Sequence, residues 1–515
     1  MEPSEPAMKR FVQFFSFAAM TQVILLLNQV VLLPMQIRLW GNSETALWYG
    51  AIALATVTTV ADCGLRTAGH VELLRLVRTN DPAARAEFLQ VWAWIRLLIV
   101  LVTATLLVAG LAYGALHRMG TWQLGRVLLT LAYAFEALLI IRIVYLDSLG
   151  EYSSAESSYF MFAAIRLVLA VPALLFFRVQ PVGLCWIFLG TSVLGLALQG
   201  WLCSIPRELR IFGGFPHRLS FGTCSLVRYT MAEPFANWAR LSLPVLVIAS
   251  IAPDTAVTTY VALRALYGAA RTTIQQVARI ASVEVLRLVE VLRPLGQRRL
   301  APAESLLSLF LLFAGLIGTA VGGAVVLDNM RLLSLWLKHF DRLSFQNINL
   351  SFALTSPFYS YQIIVALSFR LGQLALTARR QYAYLLYSAV FALSALIFKS
   401  LDVYMALLVV AEIVLAISFL VRQNVGGDAS HKTNAGRRGL AVSFAGFALV
   451  FALWITVRHA GSSMFTDKSV ETALQAVCLL ALSLGVLILG GLALNVRAFR
   501  NLRIAVQRPV TIVRV

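Results

Sequence analysis

Apolar runs of about 20 residues, the length that a helix needs to cross a bilayer, recur along the whole chain. Hydrophobic residues make up 59% of the sequence and charged residues 13%, with a mean hydropathy of +0.80, so the composition excludes an ordinary water-soluble protein. We predict an all-α, polytopic membrane protein with about fourteen transmembrane helices. The predicted spans are 11–37, 45–74, 92–115, 125–147, 157–177, 182–203, 226–251, 255–283, 305–328, 346–371, 381–399, 403–421, 439–458 and 473–496.

Basic residues are unevenly distributed between the predicted loops. With the N-terminus inside, the cytoplasmic segments carry more than twice as many lysines and arginines as the opposite segments. This bias predicts that both termini are cytoplasmic. The formal net charge of +19 then indicates attraction to an anionic membrane surface and its lipids. We expect no nucleic-acid partner.

A short internal repeat links the start of the chain to its middle. LPMQIRLWGNSETA at 33–46 and LPVLVIASIAPDTA at 243–256 both read Leu-Pro, nine residues, an acidic residue and Thr-Ala, with one offset of 210 residues. Each copy ends a span and leads into the next, so we predict two parallel six-helix repeats plus two C-terminal helices. The predicted lobes are 1–222 and 223–421, and 422–515 holds a cytoplasmic loop, two further helices and a basic tail. Prolines predict bends within the spans, at Pro34, Pro172, Pro234, Pro244 and Pro357.

Arginines inside the predicted spans are the main candidates for function. Four lie near cytoplasmic ends, where their side chains are expected to snorkel to the headgroups: Arg96, Arg142, Arg228 and Arg370. Six lie deeper and are the candidate substrate-binding residues: Arg66, Arg166, Arg240, Arg264, Arg271 and Arg279. A charge that faces lipid at the centre of a span costs at least about 2.5 kcal/mol, so these six are expected to face protein or a water-filled cavity.

Three of these arginines form a stripe in the eighth predicted span. Arg264, Arg271 and Arg279 are seven and eight residues apart, which places them within an arc of about 80° on one helix face, with Gln275 nearby. A guanidinium stays charged when partly desolvated and binds phosphate or carboxylate through two parallel hydrogen bonds. The stripe therefore indicates an anionic substrate. Aromatic residues are candidates for stacking on sugars, with interface belts and core packing as the alternative: Trp48, Tyr229, Tyr260, Tyr267, Tyr359 and Tyr361.

Acidic residues inside the spans are fewer than the arginines. Four are candidates for proton or sodium coupling and, alternatively, counter-ions of the arginines: Asp62, Glu136, Glu233 and Glu412. Asp62 and Arg66 are four residues apart, the spacing of a pair on one helix face that neutralises itself. Even with every acid paired, a positive surplus remains, which favours an anionic passenger over a cationic one.

The second predicted span carries a motif that resembles a known family. Tyr49-Gly50 stands near its outer end and Asp62-Cys63-Gly64-Leu65 lies deep within it, as in the polysaccharide (O-antigen-type) flippases of the multidrug/oligosaccharidyl-lipid/polysaccharide export superfamily. Span count, short loops and the repeat extend the resemblance over the chain. The resemblance implies transfer of a polyprenyl-diphosphate-linked oligosaccharide to the outer leaflet of a bacterial cytoplasmic membrane by alternating access, with the polysaccharide polymerase machinery as a possible partner.

No sequence feature indicates an enzyme. There is no P-loop, the six histidines are scattered, and the five cysteines lack metal-ligand spacing. We expect no cofactor and no metal. Three alternatives stay open: a peptidoglycan lipid-precursor flippase, a membrane glycosyltransferase or polymerase of the same pathway, and a multidrug exporter, which the arginine surplus disfavours.

Overall fold

The structure is a computed structural model and describes residues 7–68, 82–117, 121–148, 152–202, 221–292, 301–327, 342–370, 374–421 and 434–460. These residues are almost entirely helical, and ten of their helices are long and apolar enough to cross a membrane. The prediction of an all-α, multi-pass membrane protein is confirmed. The fourteenth predicted span and the basic tail lie outside the described residues.

The helices of the first half follow the predicted spans closely. The first helix, α1, runs through the first predicted span and into the second, and a short 3-10 segment continues it. The bounds are α1 Ala7–Ala55, the 3-10 segment Thr56–Val60, α2 Pro82–His117, α3 Thr121–Ser148, α4 Tyr152–Leu175 and α5 Pro181–Leu202.

The helices of the second half are more interrupted. The seventh predicted span is divided into three short helices, and the tenth is divided by a second 3-10 segment. The bounds are α6 Phe221–Thr230, α7 Ala232–Leu241, α8 Leu243–Ile251, α9 Asp254–Leu292, α10 Ala301–Leu327, α11 Arg342–Thr355, the 3-10 segment Ser356–Ser360, α12 Tyr361–Arg370, α13 Leu374–Phe398, α14 Leu401–Val421 and α15 Asn434–Ala460.

The two copies of the repeated sequence take up similar local structures. In the first, Gly41 interrupts α1 with a φ of 80° and a ψ of 178°, a conformation that glycine adopts without strain. In the second, Ala252 ends α8 in an extended conformation. Glu44 and Asp254 follow at the start of the next helical stretch, where a negative charge favours the helix dipole. Both copies therefore have a helix–break–helix geometry, and the duplication stays a prediction.

The described residues group into two compact units. The first holds the described residues within 1–265 together with 381–401, and the second holds those within 266–327, 342–380 and 402–460. The predicted lobe limits at 222 and 421 stay a prediction.

The core of the first unit is built around aromatic side chains. Trp48 is 1% exposed and meets the ring of Phe188 edge to face, with 5.5 Å between the ring centroids. The Trp122 indole donates to the Glu44 carboxylate over 2.6 Å, and the Trp40 indole donates to the Val179 carbonyl over 3.0 Å. These indole hydrogen bonds join α1 to α3 and to the turn before α5.

The core of the second unit depends on small residues. Gly318 of α10 packs against the backbone of Ser356, and the Ser356 hydroxyl donates to the Gly318 carbonyl over 2.8 Å. On α15, the Ser443 hydroxyl donates to the Pro357 carbonyl over 3.0 Å. Glycine and serine allow backbones to approach closely within a membrane, so α10 and α15 together enclose the 3-10 segment Ser356–Ser360.

Candidate functional site

The second predicted span is broken deep inside its length. After the 3-10 segment Thr56–Val60, the backbone turns through Cys63 and Gly64, whose φ angles are 47° and 77°. Left-handed conformations cost little for glycine and more for other residues. The Asp-x-Gly-Leu motif of the sequence therefore corresponds to a sharp turn in the middle of a span.

Gly64 also sits against the backbone of the interrupted seventh span. A Cβ atom at this position would lie 2.5 Å from the Thr230 carbonyl carbon. The Gly64 carbonyl accepts the Thr230 hydroxyl over 2.9 Å as well as the Ala68 backbone N–H over 3.1 Å. The motif glycine is therefore required both by its backbone conformation and by this close contact.

Asp62 and Arg66 form the pair that their spacing predicts. The Asp62 side chain is almost completely buried, and its Oδ2 lies 3.6 Å from Arg66 Nε and accepts the Arg66 backbone N–H over 3.3 Å. Asp62 Oδ1 is buried and has no hydrogen-bond partner among the described residues. Glu233 of α7 lies within electrostatic reach of both side chains. Arg66 therefore pairs with Asp62 and feels the charge of a second carboxylate, Glu233.

The seventh predicted span is broken at the junction of α7 and α8. Pro244 has no N–H to donate, and the Val245 N–H turns to the Ser242 carbonyl over 3.2 Å. The Leu241 carbonyl is thereby left without its usual partner within the helix. Arg264 of α9 donates an Nη1–H to it. A cation at the carboxyl end of a helix is favoured by the helix dipole, so the break explains where Arg264 is held.

The breaks of the second and seventh spans lie beside each other. The hydroxyls of Thr56 and Ser242 are 3.0 Å apart, and the Trp238 indole donates to the Ala53 carbonyl over 3.2 Å. Both contacts use groups that stand next to an interrupted helix. Arg264 is therefore anchored where two irregular backbone segments meet, the kind of backbone that membrane proteins keep where it is buried in protein or lines a cavity.

Two tyrosines of the first unit feel the charge of Arg264. Tyr49 of α1 and Tyr133 of α3 are both half-buried and both within electrostatic reach of the Arg264 guanidinium. The Tyr49 hydroxyl donates to Gln36 Oε1 over 3.2 Å, whereas the Tyr133 hydroxyl makes no hydrogen bond to any described residue. Arg264 itself has no carboxylate partner in the described part of the chain.

Arg166 lies in a closed network. Its Nη1 lies 3.0 Å from Glu136 Oε2, its Nη2 donates to Ser192 over 2.9 Å, and its Nε donates to Thr191 over 3.3 Å. The guanidinium also stacks 4.3 Å from the centre of the Phe162 ring. With its donors used and 8% of its surface exposed, Arg166 has the surroundings of a structural residue that ties α3, α4 and α5 together.

Arg240 and Arg142 are also engaged with protein groups. The Arg240 guanidinium stacks 4.6 Å from the centre of the Tyr384 ring and donates to Asn237 over 3.4 Å. Arg142 is 6% exposed and donates to the Leu196 carbonyl over 3.4 Å. The expectation that Arg142 snorkels to the headgroups is therefore wrong, because its side chain turns inward to a neighbouring helix. Arg96, at 9% exposure, is buried as well.

In the second unit, Arg271 differs from the arginines described so far. It is 9% exposed, and the structure gives it no hydrogen bond or ion pair with a described residue. Gln275, one turn further along α9, is exposed. The side chain of Arg279 lies outside the described residues. Glu412 accepts a hydrogen bond from the Tyr361 hydroxyl over 3.4 Å.

Four of the aromatic residues named as candidates for stacking on sugars follow the alternative of core packing. Trp48, Tyr260, Tyr267 and Tyr361 are each at most 3% exposed, so they belong to the core. The half-buried Tyr133 was missed, because a tyrosine in an apolar span looks the same whether it faces the core or an opening. The one feature of the sequence that could have singled out Tyr133 is its position one helical turn before Glu136.

Comparisons with known proteins identify the fold. No protein-family model and no curated protein matches the chain. A solved structure of the lipid II flippase MurJ in an inward closed conformation gives a TM-score of 0.52 at 12% identity, covering 93% of this chain and 99% of that chain. The eukaryotic MATE transporter AtDTX14 gives a TM-score of 0.50 at 12% identity, covering 85% and 99%. At 12% identity these likenesses concern the fold alone.

Proposed function

We propose that this protein is a flippase that moves a polyprenyl-diphosphate-linked oligosaccharide from the cytoplasmic to the outer leaflet of a bacterial cytoplasmic membrane, for surface polysaccharide export. The observation that carries the proposal is Arg264, which has no carboxylate partner among the described residues and is held at a broken helix. A charge placed there without a protein counter-ion is expensive. An anionic passenger that neutralises it during transport accounts for its presence.

Arg271 supports the same conclusion from the second unit. It is mostly buried and has no described ion-pair partner, so it too has donors available for a ligand. Guanidinium groups bind phosphate through paired hydrogen bonds, which suits the diphosphate of the lipid carrier. A multidrug exporter of cations would need carboxylates in these places, and Arg264 and Arg271 would repel its substrate.

A second candidate is a flippase for a peptidoglycan lipid precursor. It is favoured by the likeness to the lipid II flippase MurJ, which covers 99% of that chain. Both substrates are anionic lipids, so the arginines serve either equally well. We place the polysaccharide substrate first because of the Asp-x-Gly-Leu motif, and propose that the flipped lipid passes to a polymerase.

Ion coupling is proposed at the pair of carboxylates around Arg66. Asp62 Oδ1 is buried without a described partner, and Glu233 lies close by. A proton or sodium ion that binds there neutralises one carboxylate and changes which partner Arg66 has. Such a change alters the balance between two conformations only if the ion binds one of them more tightly.

Transfer between leaflets tests the proposal. The purified protein is reconstituted in sealed vesicles that contain a fluorescent polyprenyl-diphosphate oligosaccharide, and a glycosidase added outside reports the lipid that has reached the outer leaflet. We expect protein-dependent transfer that needs an ion gradient and no ATP. Lipid II in parallel vesicles distinguishes the two substrates. Vesicles with protein that transfer neither lipid under any gradient would refute both candidates.

A further inference from the structure

Arg142 and Gln199 join the ends of two helices of the first unit. Arg142 of α3 donates from Nη1 to the Leu196 carbonyl of α5 over 3.4 Å. In the opposite direction, Gln199 of α5 donates from Nε2 to the Leu139 carbonyl of α3 over 3.4 Å. Each side chain stands three residues after the carbonyl that its own helix offers, which is about one helical turn. These four residues form a reciprocal contact that we call the α3–α5 junction.

The α3–α5 junction lies where the apolar parts of both helices end. The apolar span of α3 ends at Ile143, directly after Arg142, and that of α5 ends at Trp201, shortly after Gln199. Trp201 is 81% exposed, and tryptophan is enriched at the level of the lipid headgroups. The distribution of basic residues predicts that this end of the unit is cytoplasmic. Arg142 therefore lies near the boundary between hydrocarbon and headgroups.

No carboxylate of the described residues pairs with Arg142. The Leu196 carbonyl, a neutral group, is the one hydrogen-bond partner that Arg142 has in the described part of the chain. Its Nε is buried without a partner. Its Nη2 also makes no hydrogen bond but is not fully buried, so the exposed 6% of Arg142 includes this end of the guanidinium. The junction thus offers one positive charge and unused N–H donors close to the headgroups.

The phosphate of an anionic phospholipid suits this position. A guanidinium binds phosphate through charge-assisted hydrogen bonds, and basic groups between transmembrane helices bind anionic headgroups. One phosphodiester carries one negative charge, which neutralises one arginine. The lipid also gains apolar contacts, because Val193 and Leu194 of α5 are 45% and 42% exposed and lie between one and two turns deeper in the span. A free phosphate ion lacks these contacts.

We propose that the α3–α5 junction is a binding site for an anionic membrane phospholipid, whose phosphate pairs with Arg142. The lipid is a bound component of the membrane and not the transported passenger, so the site goes beyond the proposed function. Arg142 keeps its hydrogen bond to the Leu196 carbonyl, and the phosphate meets Nη2 at the junction. The bound lipid neutralises the arginine and strengthens the contact between α3 and α5.

Native mass spectrometry of the purified full-length protein tests the site. The protein is titrated with phosphatidylglycerol, which has a net negative charge, and with phosphatidylcholine of the same acyl chains, which is neutral overall. We expect the first phosphatidylglycerol to bind at least about tenfold more tightly than phosphatidylcholine, since the charge-assisted pair is much weaker for the zwitterion. Arg142→Gln should remove this preference. Arg142→Lys should keep part of it, because lysine keeps the charge and loses the paired donors.

Arg178→Gln is the matched control. Arg178 is an exposed arginine in the turn before α5, at the opposite end of that helix, so the variant removes the same charge far from the junction. Its preference for phosphatidylglycerol should equal that of the natural protein. The comparison of the two lipids on the natural protein holds even where a variant fails to fold.

Three results would overturn the inference. The first is equal affinity of the natural protein for the two lipids. The second is an unchanged preference for phosphatidylglycerol in Arg142→Gln. The third is a melting temperature that inorganic phosphate, without added lipid, raises as much as phosphatidylglycerol does and only when Arg142 is present, which would assign the junction to a free anion. None of these results depends on whether the protein transfers a lipid-linked oligosaccharide, so the site and the flippase proposal fail or stand separately.

Discussion

Replacing Gly64 with alanine should destabilise the protein strongly. The added Cβ would lie 2.5 Å from the Thr230 carbonyl carbon and 2.6 Å from the Met231 nitrogen, both backbone atoms of the facing span. Backbone atoms cannot move aside as the end of a flexible side chain can. The φ of 77° at Gly64 is, in addition, unfavourable for alanine.

The expected magnitude follows from three contributions. A left-handed conformation costs a non-glycine residue about 1–2 kcal/mol, and forcing a methyl group into a packed interface costs about 1–3 kcal/mol. Displacing Thr230 weakens its 2.9 Å hydrogen bond to the Gly64 carbonyl, worth about 0.5–1.5 kcal/mol. Together these effects lower the free energy of unfolding by about 2.5–6.5 kcal/mol.

Thermal unfolding in detergent measures this effect. Gly50→Ala is the matched control in the same span, because a Cβ there meets no described atom within 4 Å and alanine in a helix interior stabilises by about 0.5–1 kcal/mol. The Gly64 variant should unfold at a markedly lower temperature than both the control and the natural protein. Equal melting temperatures for the two alanine variants would refute the contact between the broken spans.

Two further predictions concern the cores of the units. Glu136→Gln leaves the buried Arg166 without its counter-ion and should destabilise the folded protein by about 3–5 kcal/mol. Adding Arg166→Met should recover most of the melting temperature. A double variant as unstable as the single one would contradict a structural pair. Gly318→Ala places a methyl group against the Ser356 carbonyl, whereas Gly323→Ala meets a side chain at 3.4 Å. The first should therefore lower the melting temperature by clearly more than the second, and the reverse order would be inconsistent with the packing of α10.

The membrane-spanning helices could be predicted because bilayer thickness fixes the length of an apolar run. The breaks inside them were harder to locate. Pro244 and Pro357 do stand at interruptions, at the start of α8 and in the second 3-10 segment, whereas Pro34 and Pro172 lie inside α-helices. The break at Thr56–Val60 contains no proline. It depends on contacts with the seventh span, which a local pattern does not reveal.

The candidate site was predicted in part for a similar physical reason. The spacing of Asp62 and Arg66 showed that they share a helix face, and the structure pairs them. Arg166 was grouped with the substrate arginines, but Glu136, thirty residues away in sequence, pairs with it. Sequence identifies buried charges, whereas tertiary packing decides which of them are neutralised.

The charge of Arg264 during transfer is the most direct test of the account. Arg264→Lys keeps the charge and a donor for the Leu241 carbonyl, whereas Arg264→Gln keeps a donor and loses the charge. Initial rates of lipid transfer are measured in sealed vesicles containing equal amounts of folded protein. We predict that the lysine variant keeps part of the activity and that the glutamine variant loses at least about tenfold, consistent with the loss of a charge-assisted pair. Equal rates for the glutamine variant and the natural protein would contradict transport of an anionic head past Arg264.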